Sequence, residues 1–274
     1  APSSAVPNCS FNLDAVRQRT FVDDIVYHET VDSTNDLALE LAEKGTYSPG
    51  PPLLILTEQQ KRGRGRRGRR WESSSGSLTF SLLFTHSTPP SLQTIPTLAL
   101  AVALGISRAL TSYLANSSTD GETTIAQLKW PNDVFVGNRK ISGVLVEPRS
   151  ATANTLSAVV VGVGININNS IEHDLADQAT SLATEVGATI PLNDCLLKIL
   201  NRIEDEVEAW RTNDLQLPQR WNQALRSIDR HLSIETPAGT VTGTCRGIDP
   251  KGRLLIETSN GVLQQVVSEI VPET

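Results

Sequence analysis

The spacing of apolar residues along the chain predicts two long helices of different kinds. Residues 95–114 are apolar on nearly every side, which is typical of a helix that lies inside a core. Residues 192–212 carry their apolar residues on one face, as an amphipathic helix does. A shorter helix is expected within residues 31–45, because this segment opens with helix-capping residues and ends in glycine.

Short aliphatic runs predict the strands. Residues 51–60 form a compact aliphatic run, residues 77–84 alternate between apolar and polar, and residues 157–168 are β-branched before they break into glycines. Residues 128–147 predict three strands separated by a Pro-Asn-Asp turn and a Gly-Asn turn. From about residue 230, short segments alternate with Pro-Ala-Gly, Asp-Pro-Lys-Gly and Ser-Asn-Gly turns, as in a β-barrel of ~45 residues.

The composition is that of an ordinary soluble globular protein. The chain has 274 residues, of which 39% are hydrophobic and 20% are charged, and no apolar run approaches the ~20 residues of a membrane span. The N-terminus lacks the basic-then-apolar layout of an export signal, so we expect a cytoplasmic protein. The three cysteines and four histidines are scattered, which favours free thiols over a disulfide or a zinc site.

One segment concentrates positive charge. Residues 61–70, KRGRGRRGRR, hold seven positive charges and three glycines, and we call them the basic loop. The net charge of the whole chain is −6, and the residues outside the basic loop hold 17 Lys and Arg against 30 Asp and Glu. Fixing ten backbone residues costs on the order of 1–2 kcal/mol each, which one or two charged hydrogen bonds of roughly 1.5–3 kcal/mol do not offset. We therefore expect a basic loop that is mobile alone and orders around a ligand.

Three functions are compatible with the basic loop by itself. A solvated charge run accounts for the charge but not for Gly63, Gly65 and Gly68. A nucleic-acid surface fits the charge, although the basic loop has no aromatic residue and the rest of the chain repels a polyanion. A cradle for a small phosphorylated ligand uses both features, because bare backbone N–H groups and arginine forks bind phosphate.

Four other segments carry residues that suit a small polar ligand. Each alone is weak, since a helix cap, a turn, a close-packed glycine pair or a surface arginine explains it. In chain order they are DSTND (32–36), KWPND with the later RK (129–140), GVGIN (162–166) and RGID (246–249). Together with the basic loop, and with GSLTFSLLF, ATSL and CRGIDPKGRLLIE, this set resembles the biotin protein ligases from about residue 28 to the C-terminus.

The resemblance implies a fold and a division into domains. The expected fold is α+β, with a mixed sheet packed with helices on one side in a biotin/lipoate ligase-like catalytic domain, followed by a small SH3-like β-barrel. We place an N-terminal extension at residues 1–20, the catalytic domain at 21–228 and the barrel at 229–274. Only about 30 residues precede DSTN, so we expect no winged-helix domain before it and no specific DNA binding.

The resemblance also implies a two-step reaction. Biotin and MgATP give biotinyl-5′-AMP and pyrophosphate, and the biotinyl group then passes to a lysine of a biotin carboxyl carrier protein domain of a biotin-dependent carboxylase. A carboxylate must meet the α-phosphate in the first step, so cations are needed between them. The resemblance gives this role to Arg66 and Lys140. Asp133 is expected to help hold Mg²⁺ with ATP and to orient or deprotonate the acceptor lysine.

The resemblance further implies two sets of binding residues. Those expected to bind biotin are Ser33, Thr34, Asn35, Gln60, Gly63, Arg64, Arg66, Lys140 and Gly143. Those expected to bind ATP or the adenylate are Arg64, Arg66, Arg67, Arg69, Trp71, Lys129, Asn132, Lys140, Asn166, Ala179 and Arg246. Within the second set, Asn166 and Ala179 are expected on the adenine side, and Trp71 as a stacking or lid residue.

Two alternatives remain open at this stage. A lipoate ligase shares the catalytic fold, although the GRGRRGR motif and the barrel argue against it. A nucleic-acid-binding protein would show binding to random DNA with a steep salt dependence. The chain is expected to be a monomer or a weak homodimer, with the hairpin of residues 134–147 either covered or exposed as a pairing edge.

Overall fold

The computed structural model describes residues 10–45, 47–85, 94–115, 124–152 and 155–267. The helices are α1 (Leu13–Arg19), α2 (Thr34–Glu43), α3 (Ile95–Leu114), α4 (Leu182–Val186), α5 (Leu192–Arg211) and α6 (Leu217–Ala224). The strands are β1 (Ile25–Val31), β2 (Leu53–Gln60), β3 (Leu78–Thr85), β4 (Ala126–Lys129), β5 (Asp133–Val136), β6 (Arg139–Thr152), β7 (Thr155–Ile165), β8 (His231–Thr236), β9 (Gly239–Ile248), β10 (Leu254–Glu257) and β11 (Leu263–Val266).

The first seven strands form one mixed sheet in the order β1-β2-β3-β7-β6-β5-β4. β1 and β2 are parallel, and each of the other neighbouring pairs is antiparallel. The mixed sheet is therefore confirmed, as are the strands predicted from the aliphatic runs. The predicted hairpin does not form the edge of the sheet, because β4 pairs with the outer side of β5.

Helices pack on both faces of this sheet, so the expectation that they lie on one side was wrong. The larger core joins α3 and α5 to side chains such as Leu54, Phe80 and Val161. A smaller core on the opposite face joins Ala38 of α2 to side chains such as Leu83 and Val160. Both cores form because successive residues of a strand point to opposite faces, and both faces here carry aliphatic residues.

Helix α3 is the central helix of the larger core. Its length and composition would also suit a membrane span, but 78% of its apolar window is buried inside this fold. Burial of most of its surface explains why its sequence is apolar on nearly every side. The amphipathic α5 packs against it with its apolar face. Most charged residues of α5 point outward, but Glu206 is buried and pairs with Arg108 and Arg220.

The C-terminal strands form a second, antiparallel sheet in the order β11-β10-β9-β8. Helix α6 fixes this sheet to the rest of the protein, because Asn222 of α6 exchanges two hydrogen bonds with the backbone of Ile248. A mixed sheet with helices followed by a small antiparallel β-domain confirms the expected fold class. The predicted end of the barrel, residues 268–274, lies outside the described residues.

The N-terminal part of the chain contributes to the core. Helix α1 falls within the segment predicted to be an extension, and its Val16 is fully buried. Asn12 caps α1 by accepting a hydrogen bond from the N–H of Ala15. The free thiols expected from the sequence are confirmed for Cys195 and Cys245, both of which are buried; Cys9 lies outside the described residues.

Candidate active site

The site lies on the face of the large sheet that carries α2. In the register of β6 and β7, Gly143 pairs with Gly164 and Leu145 pairs with Gly162. Directly paired residues of antiparallel strands point to the same face, so the two strands expose backbone at three of these four positions. We call Gly143, Gly162 and Gly164 the glycine floor.

A side chain from another element lies across each position of the glycine floor. A Cβ atom placed on Gly162 would be 2.1 Å from Asn35 Oδ1, and one on Gly164 would be 2.2 Å from Cε2 of Trp71. A Cβ on Gly143 would be 3.1 Å from Lys140 Nζ. Three of the predicted binding residues are therefore packed directly on the sheet. Asn35 and Trp71 occupy space that a Cβ on Gly162 or Gly164 would fill, whereas Lys140 is only in close contact with Gly143.

The start of α2 supplies a buried polar end to the site. Ser33 caps the helix, because its hydroxyl accepts a hydrogen bond from the N–H of Asp36. Gln60 Oε1 accepts from both the backbone N–H and the hydroxyl of Thr34, at 2.7 and 3.1 Å. These bonds leave the Nε2 group of Gln60 as a fixed donor. The fully buried hydroxyl of Ser81 lies beneath, 2.6 Å from Oδ1 of Asn35.

The basic loop is folded as a narrow hairpin. Trp71 N–H donates to the carbonyl of Gly63 at 2.9 Å, and Gly65 N–H donates to the carbonyl of Arg69 at 2.7 Å. At the tip, Arg67 has φ 56° and Gly68 has φ 69°. The basic loop therefore has a defined backbone geometry, and its mobility without a ligand stays a prediction.

Arg64 ties the basic loop to the rest of the site. Its guanidinium forms a two-bonded pair with Glu147 at 2.7 and 2.9 Å and an ion pair with Asp36 at 2.6 Å. Burial of Arg64 disfavours its charge, but the hydrogen bond and the charge of Glu147 outweigh that effect and raise the pKa of Arg64. Glu147 also accepts from Nδ2 of Asn35 at 2.6 Å, so one carboxylate joins the loop to α2.

The two predicted catalytic cations each have a neighbouring partner. Lys140 Nζ lies 2.7 Å from Asp133 Oδ1 and 5.5 Å from the centroid of the Trp71 ring. Arg66 donates to Asn132 Oδ1 at 3.3 Å, while the amide of Asn132 donates to the carbonyl of Val144. Asp133 and Asn132 therefore hold a lysine and an arginine at the same end of the glycine floor.

These elements enclose a cavity of about 370 Å³. Seven cationic side chains and two acidic ones line it, so its wall has a strong positive excess. The second sheet closes one side with Ser233, Ile234, Glu235, Val266 and Val267. The predicted site residues that line the cavity are Ser33, Thr34, Asn35, Gln60, Arg64, Arg66, Arg67, Arg69, Trp71, Lys129, Asn132, Asp133, Lys140 and Gly143.

Four predicted site residues do not line this cavity. Gly63 forms the base of the basic loop and lines a second cavity of about 340 Å³ on the loop. Asn166 is buried, donating to the carbonyl of Thr180 and accepting from Asn169. Ala179 forms an isolated parallel β-bridge with Lys140. Arg246 is paired with Asp229 and Glu257 within the second sheet. Asn166 N–H donates to the carbonyl of Ile141, and the two neighbours of Ala179 hydrogen-bond with the backbone of Lys140. Both residues therefore support the strand that carries Lys140.

The described residues include no cluster of three or more His, Cys, Asp or Glu side chains that would hold a metal ion. Asp133, the residue predicted to help hold magnesium, already contacts Lys140. One carboxylate beside an ammonium group does not form a protein cage for Mg²⁺, which prefers several oxygen ligands. The donor set therefore does not fit a resident metal site.

Sequence reasoning missed several residues of the site. Glu147, Asp36 and Ser81 contact predicted binding residues, and Gly162 and Gly164 form the floor beneath them. A signal for Glu147 was present, because Gly143, Leu145 and Glu147 alternate along one strand and so share a face. No local signal marked Ser81, which the sheet register alone brings beneath α2.

Comparison with known proteins identifies the family. Residues 27–166 match the model of the biotin/lipoate A/B protein ligase family, which is half of the chain. The chain belongs to this family. Residues 227–268, which contain β8 to β11, match the biotin protein ligase C-terminal domain. The bifunctional ligase/repressor BirA of Bacillus subtilis is 30% identical over 242 residues, which cover 87% of this chain and 70% of that protein.

Two further relatives are similar over nearly their whole length. The biotin–[acetyl-CoA-carboxylase] ligase of Paracoccus denitrificans is 33% identical over 249 residues, covering 84% of this chain and 92% of that protein. The structure of the Aquifex aeolicus biotin protein ligase in complex with biotin and ATP superposes with a TM-score of 0.74 at 29% identity. That alignment covers 90% of this chain and 96% of the Aquifex chain.

Proposed function

We propose that the protein is an ATP-dependent biotin protein ligase. The observation that carries this function is the cavity itself, in which a positively charged wall faces the fixed polar groups of α2 and Gln60. The first feature suits a nucleotide and a carboxylate, and the second suits a small head group rich in donors and acceptors. The match to the biotin protein ligase C-terminal domain supports biotin over lipoate as the substrate.

The first step joins biotin to AMP. A carboxylate oxygen of biotin attacks the α-phosphorus of ATP, the bond to the bridging oxygen breaks, and pyrophosphate leaves with that electron pair. Two anionic groups must approach each other, so cations fixed in advance lower the barrier. Arg66, held by Asn132, and Lys140, held by Asp133, are the cations that we propose for this role.

Magnesium enters this scheme as part of the substrate MgATP. The protein supplies no cage for it among the described residues, so the phosphate oxygens are its proposed ligands. The contact of 2.7 Å between Asp133 Oδ1 and Lys140 Nζ supports a role for Asp133 as the partner of Lys140 in preference to a role as a metal ligand. An aspartate that holds the catalytic lysine in place accounts for its position without a direct metal bond.

In the second step the neutral ε-amine of an acceptor lysine attacks the biotinyl carbonyl. An amide bond forms, AMP leaves with the oxygen of the anhydride, and the amine gives up a proton. We propose that the acceptor lies on a biotin carboxyl carrier domain of a carboxylase and reaches the cavity past β8 and β11, which border it. The buried glycine floor and the basic loop restrict the access of water to the anhydride.

The test is biotin-dependent exchange between ATP and labelled pyrophosphate, repeated with lipoate. We expect exchange with biotin alone, lost by at least 100-fold in Arg66→Ala and Lys140→Ala, because each removes a charge aimed at the reacting groups. Arg62→Ala is the matched control, since this basic-loop residue is exposed and pairs with Asp32 at 3.8 Å. Exchange with lipoate instead of biotin, or with neither acid, would refute the proposal.

Transfer and assembly have separate tests. We expect labelled biotin to appear on a purified carboxylase carrier domain and not on the same domain with its acceptor lysine replaced by arginine. We propose a monomer or weak homodimer, to be measured by light scattering over a range of concentrations. No tight binding to random duplex DNA is expected at physiological salt, because the acids outside the basic loop repel a polyanion.

A further inference from the structure

Glu147 joins three parts of the site that are far apart in the sequence. It accepts two hydrogen bonds from Arg64 of the basic loop and one from Asn35 at the start of α2. Its own backbone lies in β6, paired with Val160. Asp36 of α2 also pairs with Arg64, but its side chain is half exposed.

The surroundings of Glu147 make its contacts well defined. Its side chain is only 14% exposed, whereas that of Asp36 is 53% exposed. Planar pairing of a guanidinium with both oxygens of a carboxylate fixes distance and angle together. A partly buried pair is also screened less by salt than a surface pair.

The same carboxylate fixes the amide of Asn35. Oε2 of Glu147 accepts from Nδ2, which leaves Oδ1 of Asn35 toward Ser81. These two hydrogen bonds fix the orientation of the Asn35 amide, which packs against the backbone of Gly162. Loss of these Glu147 contacts would release both the basic loop, through Arg64, and the amide of Asn35.

We propose that Glu147 is a positioning residue that couples closure of the basic loop to the polar end of the cavity. Through Arg64 and Asn35, it sets how long the reactive adenylate stays enclosed before the acceptor lysine arrives. This inference rests on the proposed function for its catalytic consequence. The contact that fixes the basic loop is tested independently of catalysis.

The variant for both tests is Glu147→Gln, which keeps the size of the side chain and removes its charge. Glu43→Gln is the control, because Glu43 also pairs with an arginine of β6, Arg149 at 2.7 Å, but is exposed and outside the cavity. Urea unfolding of each variant establishes that it is folded before the comparison is made.

The first measurement is limited trypsin digestion, with cleavage sites assigned by mass spectrometry. We expect cleavage after residues 61–70 to be roughly tenfold faster in Glu147→Gln than in the wild type and unchanged in Glu43→Gln. Equal rates in the wild type and Glu147→Gln would overturn the proposal, whether or not the protein proves to be a biotin ligase.

The second measurement is the loss of preformed biotinyl-5′-AMP from the enzyme without an acceptor. We expect the adenylate to be lost roughly tenfold faster from Glu147→Gln than from the wild type. Adding Glu147→Gln to Arg64→Gln should change the rate by less than a further twofold, because the effects of two residues that act through one contact are not additive. Faster trypsin cleavage with unchanged adenylate loss would overturn the positioning role. Full additivity with Arg64→Gln would do the same.

Discussion

Replacing Gly164 with alanine tests whether the glycine floor sets the position of the catalytic groups. A Cβ at this position would be 2.2 Å from Cε2 and 2.3 Å from Nε1 of Trp71. Carbon atoms in contact sit about 3.5–4.0 Å apart, so the indole must move by about 1.3 Å or more. The ring is not free to do so alone, because the backbone N–H of Trp71 is bound to Gly63 at the base of the basic loop.

The displacement has a cost in stability and a larger cost in activity. Overpacking typically lowers the free energy of unfolding by about 1–3 kcal/mol, and we expect a value in the lower half of that range because alanine suits a strand better than glycine. The Trp71 ring lies 5.5 Å from Lys140 Nζ, so its movement changes the surroundings of a catalytic cation. A misplacement of about 1 Å is expected to slow biotin-dependent pyrophosphate exchange by roughly 100-fold.

The assay pairs exchange kinetics with urea unfolding for the same preparations. Gly50→Ala serves as the control, because a Cβ on Gly50 meets no atom within 4 Å. The double variant Trp71→Phe/Gly164→Ala tests the cause, since phenylalanine lacks the indole atoms that collide. We expect Gly164→Ala to cost less stability in the Trp71→Phe background than in the wild type.

Two results would refute this reasoning. Wild-type exchange in Gly164→Ala would mean that the indole position does not matter to the reaction. An equal loss of stability with tryptophan or phenylalanine at position 71 would mean that the collision lies elsewhere in the sheet.

Three other substitutions have expected outcomes. Burial raises the pKa of Asp249, but hydrogen bonds from Arg253 and the turn backbone outweigh it and lower that pKa. Asp249→Asn should therefore cost about 1 kcal/mol in denaturant unfolding at pH 7; this difference should begin to shrink below about pH 4, where the unfolded carboxylate takes up a proton, and should be lost as the pH falls through the lowered folded pKa. Arg67→Gly should raise the KM for ATP, because a positive charge that lines the cavity is lost while glycine adopts φ 56° without strain and so keeps the backbone of the tip. Glu206→Gln should lower the free energy of unfolding by roughly 1–3 kcal/mol, because this buried carboxylate pairs with arginines of α3 and α6.

The local parts of the fold could be predicted because their causes are local. Ser33 and the residues after it cap a helix through short-range hydrogen bonds, and Gly45 ends the same segment with φ 60°. The turns between β4, β5 and β6 follow from Pro, Asn and Gly at fixed places. Each of these signals needs only a few neighbouring residues.

The site required long-range information that a single sequence does not contain. Arg64 and Arg246 both lie in motif segments, yet only Arg64 lines the cavity. Arg64 is held there by Glu147, 83 residues later, whereas Asp229 and Glu257 hold Arg246 in the second sheet. The face on which α2 packs was equally hidden, since both faces of the sheet are aliphatic near Leu83 and Val160. Period-2 alternation distinguishes two faces but does not say which helix covers each of them.

The glycines of the basic loop shape a hairpin and do not merely loosen it. A Cβ on Gly63 would be 2.3 Å from the carbonyl oxygen of Trp71, so the two ends of the loop meet only without a side chain there. Gly68 has φ 69°, a conformation that side chains disfavour, and it completes the turn at the tip. The backbone of the loop is therefore directed by its glycines toward one geometry.

The charges of the basic loop are distributed to hold that geometry. Acidic partners contact its two ends: Asp32 with Arg62, Asp36 and Glu147 with Arg64, and Glu72 with Arg70. The acidic remainder of the chain thus offsets the repulsion among neighbouring cations where the loop joins the fold. The tip, between these anchored ends, borders the cavity. Because the ends determine where the tip lies, substitutions at Asp36 and Glu147, the two acids that hold Arg64, should impair adenylation although neither acid lines the cavity. The long, exposed contact between Asp32 and Arg62 is expected to matter little.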